Sequence, residues 1–127
     1  MLGLPHAYFW NMDKHINWKV EFLDFERVLD CLSELSPVEL KRFLQQLNID
    51  FERLGLGIFS TARAKWLGRG LAEYRYRVNP NVLVRCFFCV RDEQVFLILT
   101  AYDKKRDPAA KRQAKEIVLA RKLMKGL

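Results

Sequence analysis

The sequence predicts an α+β domain with the element order β-α-α-β-β-β-α, a mainly antiparallel sheet and helices packed on one face. Three features of the 127 residues lead to this prediction. A capping signal opens an amphipathic helix in the first half, three apolar runs separated by turns follow, and a basic segment with helical spacing comes last. The length suits a single domain over residues 1–127.

The chain before the main helix is predicted to contain an arm, a strand and a short helix. Residues 1–17 form the N-terminal arm. We interpret Trp18–Leu23 as the first strand, with a helix start as the alternative. Apolar residues recur at helical spacing across Phe25–Leu35, which predicts the first helix.

A capping box predicts where the second helix begins. Ser36 is the N-cap, Pro37 suits the first turn, and Glu39 occupies the capping-box position. The helix is expected to run to about Arg53. Its apolar face consists of Leu40, Phe43, Leu44 and Leu47.

Three strands and a last helix are predicted in the second half. The strands are Leu71–Val78, Val82–Val90 and Val95–Tyr102, and the helix runs from Pro108 to about Met124. Asn79-Pro80-Asn81 has the composition of a turn between the first two strands, because proline presets φ and asparagine tolerates left-handed backbone.

The turns also predict the register. If Val78 faces Val82, Arg75 lies opposite Arg85. A second turn around Asp92 and Glu93 would pair Val90 with Val95. Arg85 would then face Thr100, and Leu83 would face both Arg77 and Tyr102. Because side chains alternate across a sheet, one uncovered face would carry Glu73, Arg75, Arg77, Arg85, Thr100 and Tyr102. The helix-covered face would carry Tyr74, Tyr76, Val84, Cys86, Phe88, Leu97, Leu99 and Ala101.

Charge is distributed unevenly along the chain. Residues 1–62 contain six basic and nine acidic residues, a net charge of −3, whereas residues 63–127 contain sixteen basic and six acidic residues, a net charge of +10. Such asymmetry indicates either a polyanionic partner, most often nucleic acid, or a solubilising surface.

The two facing arginines predict an anion site. Like charges directly opposed in a ladder destabilise it by roughly 0.2–1 kcal/mol, and any β-branched residue would avoid that cost. Guanidinium groups bind phosphate bidentately, so an anion between Arg75 and Arg85 would explain the pair. The alternative is pairing with carboxylates, for which Glu73 is available. With Arg75 opposite, we expect Arg85→Ala to leave stability about level.

More basic residues extend the predicted anion site. Lys104, Lys105 and Arg106 follow the last strand next to Tyr102, whose ring is suited to stacking on a base. The alternative for this run is a solvated loop. On the last helix, a broad electrostatic surface is expected at Lys111, Arg112 and Lys115.

The sequence lacks the motifs of several other functional classes. Cys86 and Cys89 match C-x-x-C, but their odd spacing on a strand sends the sulfurs to opposite faces, and three cysteines do not suggest a disulfide framework. No Gly-rich phosphate loop, metal-ligand pattern, secretory signal or membrane-spanning apolar run is present. We therefore expect a cytoplasmic protein with no metal or other cofactor.

Three stretches carry a resemblance to a known family: AKWLGRGLAEYRYRV, VRCFFCV and VFLILTAYDKKRDPAAKRQAKEIVLARKLM. Their order and spacing resemble the RelE superfamily of toxin–antitoxin systems, most closely its HigB-like, phage-derived branch. The resemblance extends from about Val20 to Met124. It implies a RelE-like fold and an endoribonuclease that cuts mRNA, often on the ribosome, and that a partner antitoxin holds inactive.

The resemblance implies roles for individual residues. It places Arg85 on the scissile phosphate. Arg75 and Arg77 match the two basic positions of the second strand. Lys104 matches the basic position after the last strand, and Tyr102 matches the aromatic residue beside it.

One departure from the family leaves the general base open. Glu73 replaces a lysine of RelE, and the histidine at the strand end of several HigB and YoeB toxins is absent. RNA can be cleaved by its own 2′-hydroxyl without a metal, so the enzyme has to position the strand, stabilise charge and move protons. The expected catalytic residues are Glu73, Arg75, Arg85, Tyr102 and Lys104.

Two other functions stay open. One is a ParE-like inhibitor of DNA gyrase, since that branch shares the fold, and the other is a noncatalytic RNA- or ribosome-binding protein. For the toxin, the expected partners are mRNA, the ribosome and a cognate antitoxin of the helix-turn-helix type, with no membrane.

Overall fold

The computed structural model of this protein describes residues 18–91 and 94–127. The helices are α1 (Phe25–Cys31), α2 (Pro37–Leu54) and α3 (Ala110–Lys125), with a 3-10 helix at Gly55–Ser60, and the strands are β1 (Lys19–Phe22), β2 (Ala64–Gly68), β3 (Leu71–Asn79), β4 (Val82–Arg91) and β5 (Val95–Asp103). The predicted N-terminal arm, residues 1–17, and the predicted turn at Asp92 and Glu93 lie outside the described residues.

The strands form one sheet in the order β1-β5-β4-β3-β2. β1 runs parallel to β5, and the other neighbouring pairs are antiparallel. The predicted α+β class with a mainly antiparallel sheet is therefore confirmed. The sequence interpretation missed β2, a five-residue edge strand that pairs with β3. A tight turn joins the two strands, with positive φ at Gly68, Arg69 and Gly70.

The predicted capping box is present at the start of α2. Ser36 Oγ accepts a hydrogen bond from the Glu39 N–H at 3.1 Å, and Glu39 Oε1 accepts one from the Ser36 N–H at 2.9 Å. Asp24 caps α1 in a similar way, because its carboxylate accepts a hydrogen bond from the Arg27 N–H. Both caps satisfy backbone donors that have no partner inside the helix.

The main core lies between α2 and one face of the sheet. Phe51 is fully buried, and its ring centroid is 4.5 Å from that of Phe96 and 4.9 Å from that of Phe88. Trp18 stacks on the other side of Phe96 at 4.5 Å. Gly55 ends α2 with φ +52, and a Cβ there would lie 2.5 Å from Trp18 Nε1, so the close packing of the indole requires glycine.

The last helix packs on the opposite face, so the prediction that all helices lie on one face is wrong for α3. Ala120 of α3 is fully buried against a second apolar cluster that includes Leu71, Phe87, Leu97 and Leu99. The predicted register had placed Leu97 and Leu99 on the face covered by the other helices, so the sequence did not predict an apolar cluster on the opposite face. The arginine-bearing face is consequently covered over part of its length.

Between β3 and β4 the predicted register is correct from Leu71 to Arg77, but Val82 pairs with Asn79 and not with Val78, because a bulge precedes the turn. Between β4 and β5 the predicted register is wrong. Arg75 lies opposite Arg85. Arg85 faces Tyr102 and not Thr100, which lies opposite Phe87. The physical reason is twofold: Val95 pairs with Arg91 and not with Val90, and a bulge in β5 adds one residue between the partners of Phe87 and Phe88. Leu83 likewise does not pair with Tyr102.

Candidate functional site

A buried ion pair lies at the centre of the predicted site. Arg85 Nη1 is 3.4 Å from Glu73 Oε2, and the two side chains are 8% and 1% exposed. They come together because Glu73 and Arg75 are successive residues on one face of β3, and Arg85 lies across from Arg75. Of the two alternatives that the sequence left open, Arg85 therefore has a carboxylate partner within the fold.

Glu73 has two further neighbours, whereas Arg85 keeps one donor free. Gln113 Nε2 donates a hydrogen bond to Glu73 Oε2 at 3.3 Å, and Lys65 Nζ lies 3.9 Å from Glu73 Oε1. Nε of Arg85 is buried and has no hydrogen-bond partner among residues 18–91 and 94–127. The same is true of the hydroxyl of Thr100 on the neighbouring strand. The cluster thus contains donor capacity that the described part of the fold does not use.

Tyr102 completes the cluster from β5. It lies opposite Arg85, its ring stacks on Phe87 with 6.4 Å between centroids, and Cζ of Arg112 lies 5.0 Å from its centroid. Burial raises the pKa of Tyr102 above the ordinary value, while the nearby charge of Arg85 acts in the opposite direction. The phenol therefore keeps its proton at neutral pH.

Arg75 and Arg77 lie in solvent at the end of the sheet beyond α3. Both are exposed, and their side chains form no ion pair or hydrogen bond with the described residues. The loop after β5 is fixed beside them, since the Lys104 N–H donates to the Leu83 carbonyl at 2.7 Å and Asp103 Oδ1 accepts from the Leu83 N–H at 3.2 Å. Leu83 lies opposite Arg77, so the structure brings Lys104 to the arginines as predicted.

The other predicted RNA-binding residues are divided between several environments. Arg106 forms an ion pair with Glu34 of the segment after α1 at 2.9 Å. Arg112 bonds to Asp107 at 3.0 Å and to Glu116 at 2.9 Å, so it is held in place over Tyr102. Exposed cations are Lys105 in the loop and Lys111 and Lys115 on α3.

Lys111 and Lys115 line a groove of about 710 Å³ between α1 and α3. Arg27 of α1 and Lys122 of α3 lie in the same groove. These cations therefore form a second basic surface that is separate from the arginines at the sheet end.

Sequence interpretation missed a buried network beside the site. Asp50 accepts hydrogen bonds from Arg63 Nη1 at 2.7 and 2.8 Å, from the Tyr74 hydroxyl at 2.7 Å and from Gln46 at 2.9 Å. The Arg63 carbonyl in turn accepts a hydrogen bond from the Arg75 N–H at 2.8 Å. A signal was available, because Asp50 occurs at helical spacing from the buried apolar residues of α2.

The described residues contain neither a candidate metal site nor a membrane-spanning helix. Within residues 18–91 and 94–127, no cluster of three His, Cys, Asp or Glu side chains could hold a metal ion. Over the same part of the chain, no helix has the length and apolar character needed to cross a membrane.

Comparison with known proteins adds no family assignment. The chain matches no protein-family model, and no curated protein is significantly similar to it in sequence. The resemblance to RelE-like toxins therefore depends on the three sequence stretches alone.

Proposed function

We propose that this protein is an endoribonuclease toxin that cleaves mRNA by attack of the RNA 2′-hydroxyl, in association with the ribosome. One observation supports this function best. An arginine with a free donor, a carboxylate and a protonated tyrosine are in one cluster, directly beside two exposed arginines. These are the groups that metal-free phosphoryl transfer needs for charge stabilisation and proton transfer.

Each group has a distinct role in the proposed reaction. A carboxylate oxygen of Glu73 takes the proton of the 2′-hydroxyl, and the oxygen attacks the adjacent phosphorus. Arg85 donates hydrogen bonds to the phosphoryl oxygens as their charge develops. Tyr102 gives its proton to the leaving 5′-oxygen, which yields a 2′,3′-cyclic phosphate. Arg75 and Lys104 hold the flanking phosphates.

RNA reaches the cluster only if the first turns of α3 move. Arg112 over the Tyr102 ring and Gln113 on Glu73 both belong to these turns. Ala109 provides no side-chain cap, so α3 lacks the roughly 1 kcal/mol that a Ser, Thr, Asp or Asn cap supplies. The first turn also has no acidic residue, and the exposed cation of Lys111 near the helix N-terminus opposes the helix dipole. A phosphate bound here would relieve that repulsion.

A second candidate is a noncatalytic RNA- or ribosome-binding protein. It is favoured by the burial of Arg85 and Tyr102, which are 6% and 1% exposed, while the exposed cations lie outside the cluster. In this case the Glu73–Arg85 pair would be a structural ion pair, and the basic surface would carry the whole function.

Incubation of the purified protein with translating ribosomes tests these functions. A toxin cuts the message and leaves 2′,3′-cyclic phosphate ends, and a message with 2′-O-methyl groups at the cleavage sites stays intact. Ribosome binding with an intact natural message would support the noncatalytic alternative. Inhibition of DNA supercoiling without RNA cleavage would support the gyrase inhibitor.

A further inference from the structure

A groove of about 400 Å³ lies along the open edge of β3. β2 pairs with β3 only as far as Tyr74, so the remainder of this strand edge has no neighbouring strand within residues 18–91 and 94–127. Side chains from both faces of the sheet therefore reach the groove, which is lined by Ala62, Arg63, Arg75, Tyr76, Arg77 and Leu83.

The lining of this edge groove is positively charged, and the described residues contribute no carboxylate to it. Arg63 is held from behind by Asp50, which offsets its charge and fixes its position. Arg75 and Arg77 have no such partner among the described residues, and both are exposed. Unpaired guanidinium groups in a concave surface concentrate anions there and suit phosphate in particular.

Tyr76 adds an aromatic surface to the edge groove. It lies between Arg75 and Arg77 in the sequence, its side chain is half-buried, and Cζ of Arg63 lies 5.7 Å from its ring centroid. A half-buried ring that is partly open to solvent is suited to stacking on a nucleobase. An acidic peptide would use the arginines but would have no need of the ring.

We propose that the edge groove binds single-stranded RNA, with Arg75 and Arg77 on phosphates and Tyr76 stacked on a base. The choice of RNA rests on the proposed function. Arg75 is directly opposite Arg85, so a strand in the groove continues towards the Glu73–Arg85 pair. Arg63 and Tyr76, which sequence reasoning did not select, are then part of the substrate site, and Asp50 positions Arg63.

Binding of a non-cleavable strand tests this proposal without requiring catalysis. The probe is a fluorescent single-stranded 2′-O-methyl oligonucleotide of about 12 nucleotides, and its Kd for the full chain is measured by anisotropy at several salt concentrations. Tyr76→Leu should raise Kd roughly five- to a hundredfold, because stacking on one base is lost. Tyr76→Phe restores the ring and should recover most of the affinity. Arg77→Gln should reduce the slope of log Kd against log salt by about 1.

A control and a competitor complete the experiment. Arg91→Gln removes an exposed arginine from the far end of β4 and should leave the probe affinity near that of the wild type. The proposal is overturned if Tyr76→Leu, shown to be folded by circular dichroism, binds the probe as tightly as the wild type. It is also overturned if polyglutamate displaces the probe equally well from the wild type and from Tyr76→Leu, because the surface would then accept acidic chains without using the ring.

Failure of the edge groove and failure of the ribonuclease are separable. If the protein cleaves message but the Tyr76 and Arg77 variants bind the probe like the wild type, the proposal for the groove is wrong and the proposed ribonuclease activity is supported. If the variants change probe binding as expected but the protein cleaves no message, the proposal for the groove is supported and the proposed ribonuclease activity is wrong.

Discussion

Nη1 of Arg85 lies 3.4 Å from Oε2 of Glu73, and both side chains are almost completely buried. The directly opposed arginine, Arg75, is exposed and has no carboxylate partner among the described residues. The two arginines therefore differ in what they do for the fold, although they are equivalent in the strand pattern. The sequence alone predicts that Arg85→Ala leaves the stability about level. The buried ion pair predicts a loss of stability instead.

Arg85→Ala should destabilise the protein by about 3 kcal/mol, because it leaves the Glu73 charge buried without its guanidinium partner. The neighbouring Gln113 and Lys65 limit the loss. Arg75→Ala is the matched control and should change the free energy of unfolding by less than about 0.5 kcal/mol. Urea unfolding measures both variants. Equal stabilities would contradict a structural role for the pair.

Arg85 should also determine activity at temperatures where its variants are folded. Loss of a donor to developing charge typically costs about 10²–10³ in rate, so Arg85→Ala should lose that much message cleavage. Arg85→Lys keeps the charge but not the fork of donors, and we expect partial activity. The assay is single-turnover cleavage of message well below each variant's melting temperature. A fully active, folded Arg85→Ala would exclude Arg85 from the reaction.

The Asp50–Arg63 network should couple α2 to the strand edge. Arg63→Gln leaves the Asp50 carboxylate buried without a cation and should cost about 2 kcal/mol of stability. Arg63 is half exposed, so solvent screening keeps the loss below that of a fully buried pair. In the double variant Asp50→Asn/Arg63→Gln, the loss should be smaller than the sum of the two single losses. Strictly additive losses in a double-mutant cycle would show that the contact contributes nothing.

Stability should fall in alkaline solution because of Tyr74. Burial, followed by the hydrogen bond to Asp50 and its charge, raises the pKa of Tyr74 far above the ordinary value. Above pH of about 10, the unfolded state releases this proton while the folded state keeps it, so stability decreases by about 1.4 kcal/mol per pH unit. Tyr74→Phe should remove that part of the slope between about pH 10 and 11. Urea unfolding at several pH values measures the slope, and an unchanged slope in the variant would contradict the assignment.

If the protein is a toxin, a partner should neutralise it. An uncontrolled ribonuclease would stop growth of its host, and a basic surface attracts an acidic protein rapidly. We expect expression of the chain alone to arrest growth and co-expression with the product of the adjacent gene to restore it. Such an antitoxin would cover the exposed arginines or α3. Normal growth of a sensitive host during expression of the chain alone would remove most support for the toxin.

Features that depend on residues close together in the sequence were predicted correctly. The capping box at Ser36 and Glu39 is present, since it depends only on residues three positions apart. The pairing of Arg75 with Arg85 was predicted correctly as well, although Val82 pairs with Asn79 at the turn, because the bulge between Arg77 and Asn79 restores the predicted register. Cys86 and Cys89 lie in different apolar clusters, as their spacing on one strand indicated.

Features that depend on distant residues were not predictable in the same way. β2 is too short to be recognised alone and gains its pairing from β3. The partner of Arg85 changed from Thr100 to Tyr102 for two reasons that each shift the register by one residue: Val95 pairs with Arg91 and not with Val90, and β5 contains a bulge. The contacts of Arg63 and Tyr74 with Asp50 join residues that are far apart in the sequence, and no local pattern predicts them.

The sequence by itself determined the α+β class, the concentration of cations in the second half and the hairpin that places two arginines opposite each other. Only the tertiary structure decided that α3 covers part of the arginine face, that Glu73 neutralises Arg85 and that Arg75 and Arg77 stay exposed. The physical reason is that caps, turns and side-chain alternation act over a few residues. Burial and ion pairing depend on which distant elements pack together, and in this fold that was settled by the second apolar surface under α3.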